Sequence, residues 1–143
     1  MTQGPEVAPH VPIVVAWTRG AEFDASRENG PRMHLDGDAA HGLSPVDTLL
    51  ASLASCAATD VVTILEKQRT PPRKLEVRVE ATRVTSIPRR LASVVLHFTI
   101  AGHGIARAKA ERAVELAVTR YCSVRSSLDK DIPVTWTIDV DAA

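Results

Sequence analysis

The stretch SPVDTLLASLASCAATDVV, Ser44 to Val62, decides how the rest of the chain is read. Ser44 is of N-cap type, Pro45 suits the first helical position, and Asp47 puts a carboxylate at the positive end three residues after the cap. The predicted helix continues to about Lys67 and stops before Pro71-Pro72. Its centre, LLASLASCAA, is apolar or small on every side, so burial is expected all round, with small residues that let another backbone come close. One chain of this size has difficulty covering such a helix completely, so a second subunit is expected to help. Cys56 falls in mid-helix, where no backbone N–H is free to stabilise a thiolate. It needs a cation or donor from another segment in order to react.

On the N-terminal side, PIVVAW supplies Ile13, Val15 and Trp17 in strand alternation, so a strand is expected from near Pro12. Asn29-Gly30-Pro31 is a turn signal flanked by Phe23 and Ala25 before it and Met33 and Leu35 after it, the pattern of a hairpin. On the C-terminal side, Leu75, Val77, Val79 and Ala81 alternate on one face, as do Val94, Leu96, Phe98 and Ile100. GIARAKAERAVELAVTRYC reads as an amphipathic helix whose inner face carries Ala106, Ala110, Ala113, Val114, Ala117 and Tyr121. A last strand places Val134, Trp136, Ile138 and Val140 inward, and both tryptophans are expected in the core. The order predicts one α+β domain over residues 11–143, with helices on one side of antiparallel sheet and a flexible tail over 1–10.

Composition narrows the function classes. The chain has 143 residues, 45% hydrophobic and 3% aromatic, which suffices for one core but supplies little surface for base stacking. Seventeen basic and seventeen acidic residues give a formal net charge of zero, so no nucleic acid or other polyanion is implied. No apolar run approaches the roughly 20 residues of a membrane span, and the N-terminus lacks a signal-peptide pattern. The protein is therefore expected in the cytoplasm. The histidines His34, His41, His97 and His103 show no ligand spacing, and nothing calls for a metal or cofactor. They are read as solvated surface.

Two cysteines in an intracellular chain leave burial, redox chemistry or nucleophilic chemistry. Cys122 lies where one helix ends and CSVRSS begins another turn, with Arg120 and Arg125 close in sequence, a setting that lowers a thiol pKa.

GLSPVDTLLASLASCAATDVVTILEKQR, followed by two alternating strands and then AVELAVTRYCSVRSSLDKDIPVTWTIDV, resembles the OsmC and organic hydroperoxide resistance family. The resemblance covers nearly everything from Trp17 to Val140. It implies an OsmC-like fold, with antiparallel sheets around a long central helix and two chains intertwined as a homodimer. It also implies a thiol peroxidase in which Cys56 is peroxidatic and Cys122 resolving, with reducing equivalents from a lipoyl or thioredoxin-type dithiol. The family's apparatus includes an arginine from the N-terminal strands, for which Arg19 and Arg27 are the candidates. It also includes a glutamate directly after the helix-one proline. That position is Val46 here, and Asp47, about 100° further round the helix, is the nearest carboxylate. A non-catalytic, redox-responsive or ligand-binding dimer is the alternative this departure keeps open.

Overall fold

The computed structural model describes residues 4–143. Of the tail expected over 1–10, residues 1–3 lie outside the described residues, and 4–10 are exposed and carry no helix or strand. The chain divides into two compact units, one up to Thr48 and the other Leu49–Ala143, with the boundary in the first turn of the long helix.

In the first unit, Asn29 takes a left-handed conformation with φ of 55°, as an Asn-Gly turn favours. The turn joins β2 (Glu22–Arg27) to β3 (Arg32–Asp36), pairing Phe23 with Leu35 and Ala25 with Met33. A tighter turn at Gly20, with φ of 51°, folds β1 (Ile13–Arg19) back onto β2 and sets Arg19 opposite Glu22. The result is an antiparallel sheet of order β1-β2-β3. Trp17 is not core here: it is 65% exposed and its indole N–H donates to the Gly20 carbonyl at 2.8 Å. Ile13, Val14, Val15 and Met33 are exposed with it.

Helix α1 spans Pro45–Lys67. Its start is a reciprocal capping box: the Asp47 N–H donates to Ser44 Oγ at 3.1 Å, and the Ser44 N–H donates to Asp47 Oδ2 at 3.0 Å. By length and composition alone α1 is apolar enough to cross a membrane. Burial all round is not observed within the chain. Leu53, Ala54, Ala57, Val61 and Leu65 form one buried stripe. The other side exposes Ala51, Ser55, Thr59 and Thr63. Ser55 donates to the Ser52 carbonyl, while Thr59 and Thr63 donate to carbonyls one turn back, so this row of small side chains satisfies its own polar groups.

The second unit is built on β4 (Lys74–Arg83) and β5 (Leu91–Ala101), an antiparallel pair in which Val77 faces Phe98 and Val79 faces Leu96. The alternation predicted for β5 is the one observed, with Val94, Leu96, Phe98 and Ile100 buried. Helix α2 (Arg107–Leu116) adds Ala110, Ala113 and Val114 to the core, and continues as a π-helical turn over Ala117–Tyr121. A short helix α3 (Ser123–Ser127) precedes β6 (Val134–Asp141), whose Ile138 is buried. One pairing corrects the antiparallel reading of the sheets: β6 runs parallel to β5, giving a mixed sheet of order β4-β5-β6. The physical reason is the connection. The helical segment between the two strands is long enough to cross over the sheet and return in the same direction, which a hairpin cannot do.

Candidate active site

Helical periodicity carried on from Ala110, Ala113 and Ala117 turns Tyr121 inward. The π-helical turn changes this. The Cys122 N–H donates to the Ala117 carbonyl at 2.9 Å, a step of five residues, so one extra residue is accommodated before the helix ends. Tyr121 is turned out, 51% exposed, and Cys122 is turned in, 3% exposed. Cys122 then caps α3, its sulfur accepting the Arg125 N–H at 3.4 Å.

The same sulfur lies 3.9 Å from the Leu53 carbonyl, toward which the thiol donates, and this ties Cys122 to the turn of α1 that carries Cys56. The Cys56 side chain neighbours Cys122 closely enough to act on its thiol, and both thiols are free. Cys56 is half-buried, so of the two it is the more accessible to a small molecule. Burial pushes the Cys122 thiol pKa up, and neighbouring Cys56 adds to the shift, while the backbone N–H groups of Arg125 and Val124 pull the other way and lose. The direction is therefore opposite to that expected from the chain's new turn and its arginines. Those arginines are turned to other groups. Arg125 donates to the carbonyls of Asp129 and Ile132 at 3.1 and 3.0 Å, and Arg120 lies over the Tyr121 ring at 5.7 Å.

The remaining sequence candidates belong to the first unit. Arg19 is a cross-strand partner of Glu22, and its Nε donates to Glu22 Oε2 at 3.0 Å with the side chain 76% exposed. Arg27 ends β2, exposed, with its backbone N–H donating to the Pro31 carbonyl across the turn. Asp47 is engaged by the capping box described above.

Sequence reading missed one cluster in this unit. The β2–β3 register places Glu22 opposite Asp36 and Asp24 opposite His34 on one face of the sheet. His34 is exposed, as expected of a surface group, but it is paired: its Nδ1 lies 2.7 Å from Asp24 and its Nε2 lies 2.9 Å from Glu22. Asp36, 2% exposed, accepts the N–H groups of Asp38, Ala40 and His41 and so folds the loop leading to α1. The His34 pKa is raised by Asp24 and then Glu22. His34 and Arg19 lower that of Glu22, and the three backbone N–H groups lower that of Asp36. Glu22, Asp36 and His41 bring potential ligand atoms within 4.8 Å of one another. Every carboxylate oxygen in that group already accepts hydrogen bonds, so loop anchoring accounts for the cluster. The signal in sequence was Glu22-x-Asp24 facing His34-x-Asp36 across an Asn-Gly turn.

A sequence model described as OsmC-like protein matches residues 36–137. The chain is 33% identical over 130 residues to Protein YhfA of Escherichia coli K12, a match covering 90% of this chain and 97% of that one. It is also similar to a crystal structure of an OsmC-like protein from Mycoplasma pneumoniae, with a TM-score of 0.80 and 17% identity over 94% of this chain and 99% of that one. A structure described as an organic hydroperoxide resistance protein OsmC from Legionella pneumophila gives a TM-score of 0.68 at 15% identity, covering 94% and 100% of the two chains. The last two matches concern the fold, in which a long helix and two three-stranded sheets recur. The family match spans both cysteine blocks, and on this ground the chain belongs to the OsmC/Ohr family.

Proposed function

We propose that this protein is a cysteine-based reductase of organic hydroperoxides, working as a cytoplasmic homodimer in defence against oxidative stress. The observation that carries the reading is the approach of Cys56 and Cys122, brought together by α1 and the π-helical turn. Cys56 is the attacking sulfur because it is the more accessible, whereas buried Cys122 keeps its proton. The Cys56 sulfur bonds to the terminal peroxide oxygen, the O–O bond breaks, and the alkoxide leaves and is protonated to an alcohol. Cys122 then displaces hydroxide from the Cys56 sulfenic acid, giving a disulfide and water. An external dithiol of lipoyl or thioredoxin type returns both thiols.

The resemblance assigns the positive charge that Cys56 needs to an arginine of the N-terminal strands, and Arg19, held in orientation by Glu22, is the candidate. Two exposed features support the dimer: the apolar face of Ile13, Val15, Trp17 and Met33, and the small, self-satisfied row of Ala51, Ser55, Thr59 and Thr63 on α1. A second reading, a non-catalytic redox-responsive dimer, draws support from Val46 and from the engagement of Asp47 in the cap.

Steady-state consumption of cumene hydroperoxide with a dithiol separates the two readings. Many turnovers, abolished by Cys56→Ser, are expected for the reductase. One turnover or none favours the second reading.

A further inference from the structure

Cys122, although 3% exposed, is one of the residues lining a cleft of about 230 Å³, with Val118, Arg120, Arg125, Leu128 and Lys130. Three cations surround this cleft, and no Asp or Glu lines it. Arg125 bonds only backbone carbonyls, and Arg120 stacks on Tyr121. Neither these two nor Lys130 has a carboxylate partner among the described residues, although Arg90, Arg107 and Arg112 of the same unit each do. In a chain of zero formal net charge, three cations lining one cleft without a direct carboxylate partner form a local positive field that attracts anions.

We propose that this cleft is the entrance for the reductant, and that it selects a dithiol carrying negative charge, a carboxylate-bearing dithiol being the simplest member of the class. The inference rests on the Cys56–Cys122 disulfide of the preceding reading and adds which sulfur is attacked and by what. The reductant's thiolate attacks Cys122 Sγ, the S–S bond breaks, and Cys56 departs as thiolate. The reductant's second thiol then attacks its own sulfur of the mixed disulfide and releases Cys122, which takes up the proton, while the reductant leaves as a cyclic disulfide. Two electrons pass from reductant to protein. This order follows from the cleft, which is lined by Cys122 and not by Cys56, so a dithiol held among the cations meets Cys122 first.

The test starts from protein oxidised with diamide, which makes the disulfide from proximity whether or not the protein reduces peroxides. Its re-reduction is followed with dihydrolipoate, which is anionic, and with dithiothreitol, which is neutral. In the variant Arg120→Glu/Lys130→Glu the rate constant with dihydrolipoate is expected to fall by about tenfold or more at low salt, with the difference shrinking as salt rises. The rate with dithiothreitol is expected to stay within about twofold. Both side chains are exposed, and far-UV circular dichroism verifies that the variant is folded. An equal response of the two dithiols, or none, overturns the proposal. So does a mixed disulfide with 3-mercaptopropionate that maps to Cys56 rather than Cys122. A disulfide that re-forms and re-reduces as expected in a protein inert to peroxide refutes the peroxidase reading and leaves the cleft assignment standing.

Discussion

Asp47 is the residue on which a structural and a catalytic role compete, and Asp47→Ala distinguishes them by stability. The substitution removes the bond from the Ser44 N–H to Asp47 Oδ2, 3.0 Å, and takes a negative charge from the first turn of a 23-residue helix. Losing half of a capping box costs about 1 kcal/mol, and losing the favourable charge at the helix end adds about 0.5 kcal/mol. The entropy of unfolding for 143 residues is about 0.3 kcal/mol per kelvin, so the melting temperature should drop by about 5 °C. Ser44→Ala should cause a similar loss, and the double variant should lose less than the sum because the two side chains serve one motif. Thermal melts followed at 222 nm measure the shift, and thiol loss after one equivalent of hydroperoxide measures chemistry on the same samples. The reasoning is refuted if Asp47→Ala melts with the wild type while its reaction with peroxide is lost. Asp47 would then be standing in for the family glutamate.

Two further outcomes follow from the charged and thiol groups. The folded His34 pKa lies above its unfolded value, so its contribution is complete below about pH 6.5 and is lost as pH rises through the folded value. Glu22 and Asp36 are depressed, so theirs is present above about pH 4 and lost as pH falls through their folded values. Urea midpoints should therefore decline on both sides of an intermediate range, and His34→Gln should flatten the alkaline decline; an unchanged profile in that variant would remove His34 from the argument. In the reduced protein iodoacetamide should label Cys56 before Cys122, read by peptide mass spectrometry, because burial both shields Cys122 and keeps it protonated. Faster labelling of Cys122 would reverse the assigned roles.

What was legible in the sequence follows short-range physics. The start of α1 was marked by Ser44, Pro45 and Asp47, and the hairpin by Asn29-Gly30, because caps and turns place specific demands on single residues. The inward faces of β5 and β6, and of β4 as far as Val79, followed from period-two alternation, whereas Ala81 near the end of β4 is exposed. The features that escaped depend on pairing or on a change of period. Nothing in AVTRYC announces a π-helical turn, yet that turn exchanges Tyr121 for Cys122 at the core. The parallel direction of β6 depends on how its helical connection packs. The Glu22–His34–Asp24 contacts appear only once two strands are set in register. Trp17 was assigned to the core by residue type, and its exposed place on β1 shows that type alone does not decide burial.

The most direct test of the central claim is the fate of the two thiols after one equivalent of cumene hydroperoxide. Intact mass spectrometry and peptide mapping are predicted to show the loss of two hydrogens and a single Cys56–Cys122 disulfide within each chain. Two unmodified thiols, or a Cys56 sulfenic acid that persists beside a free Cys122, would contradict it.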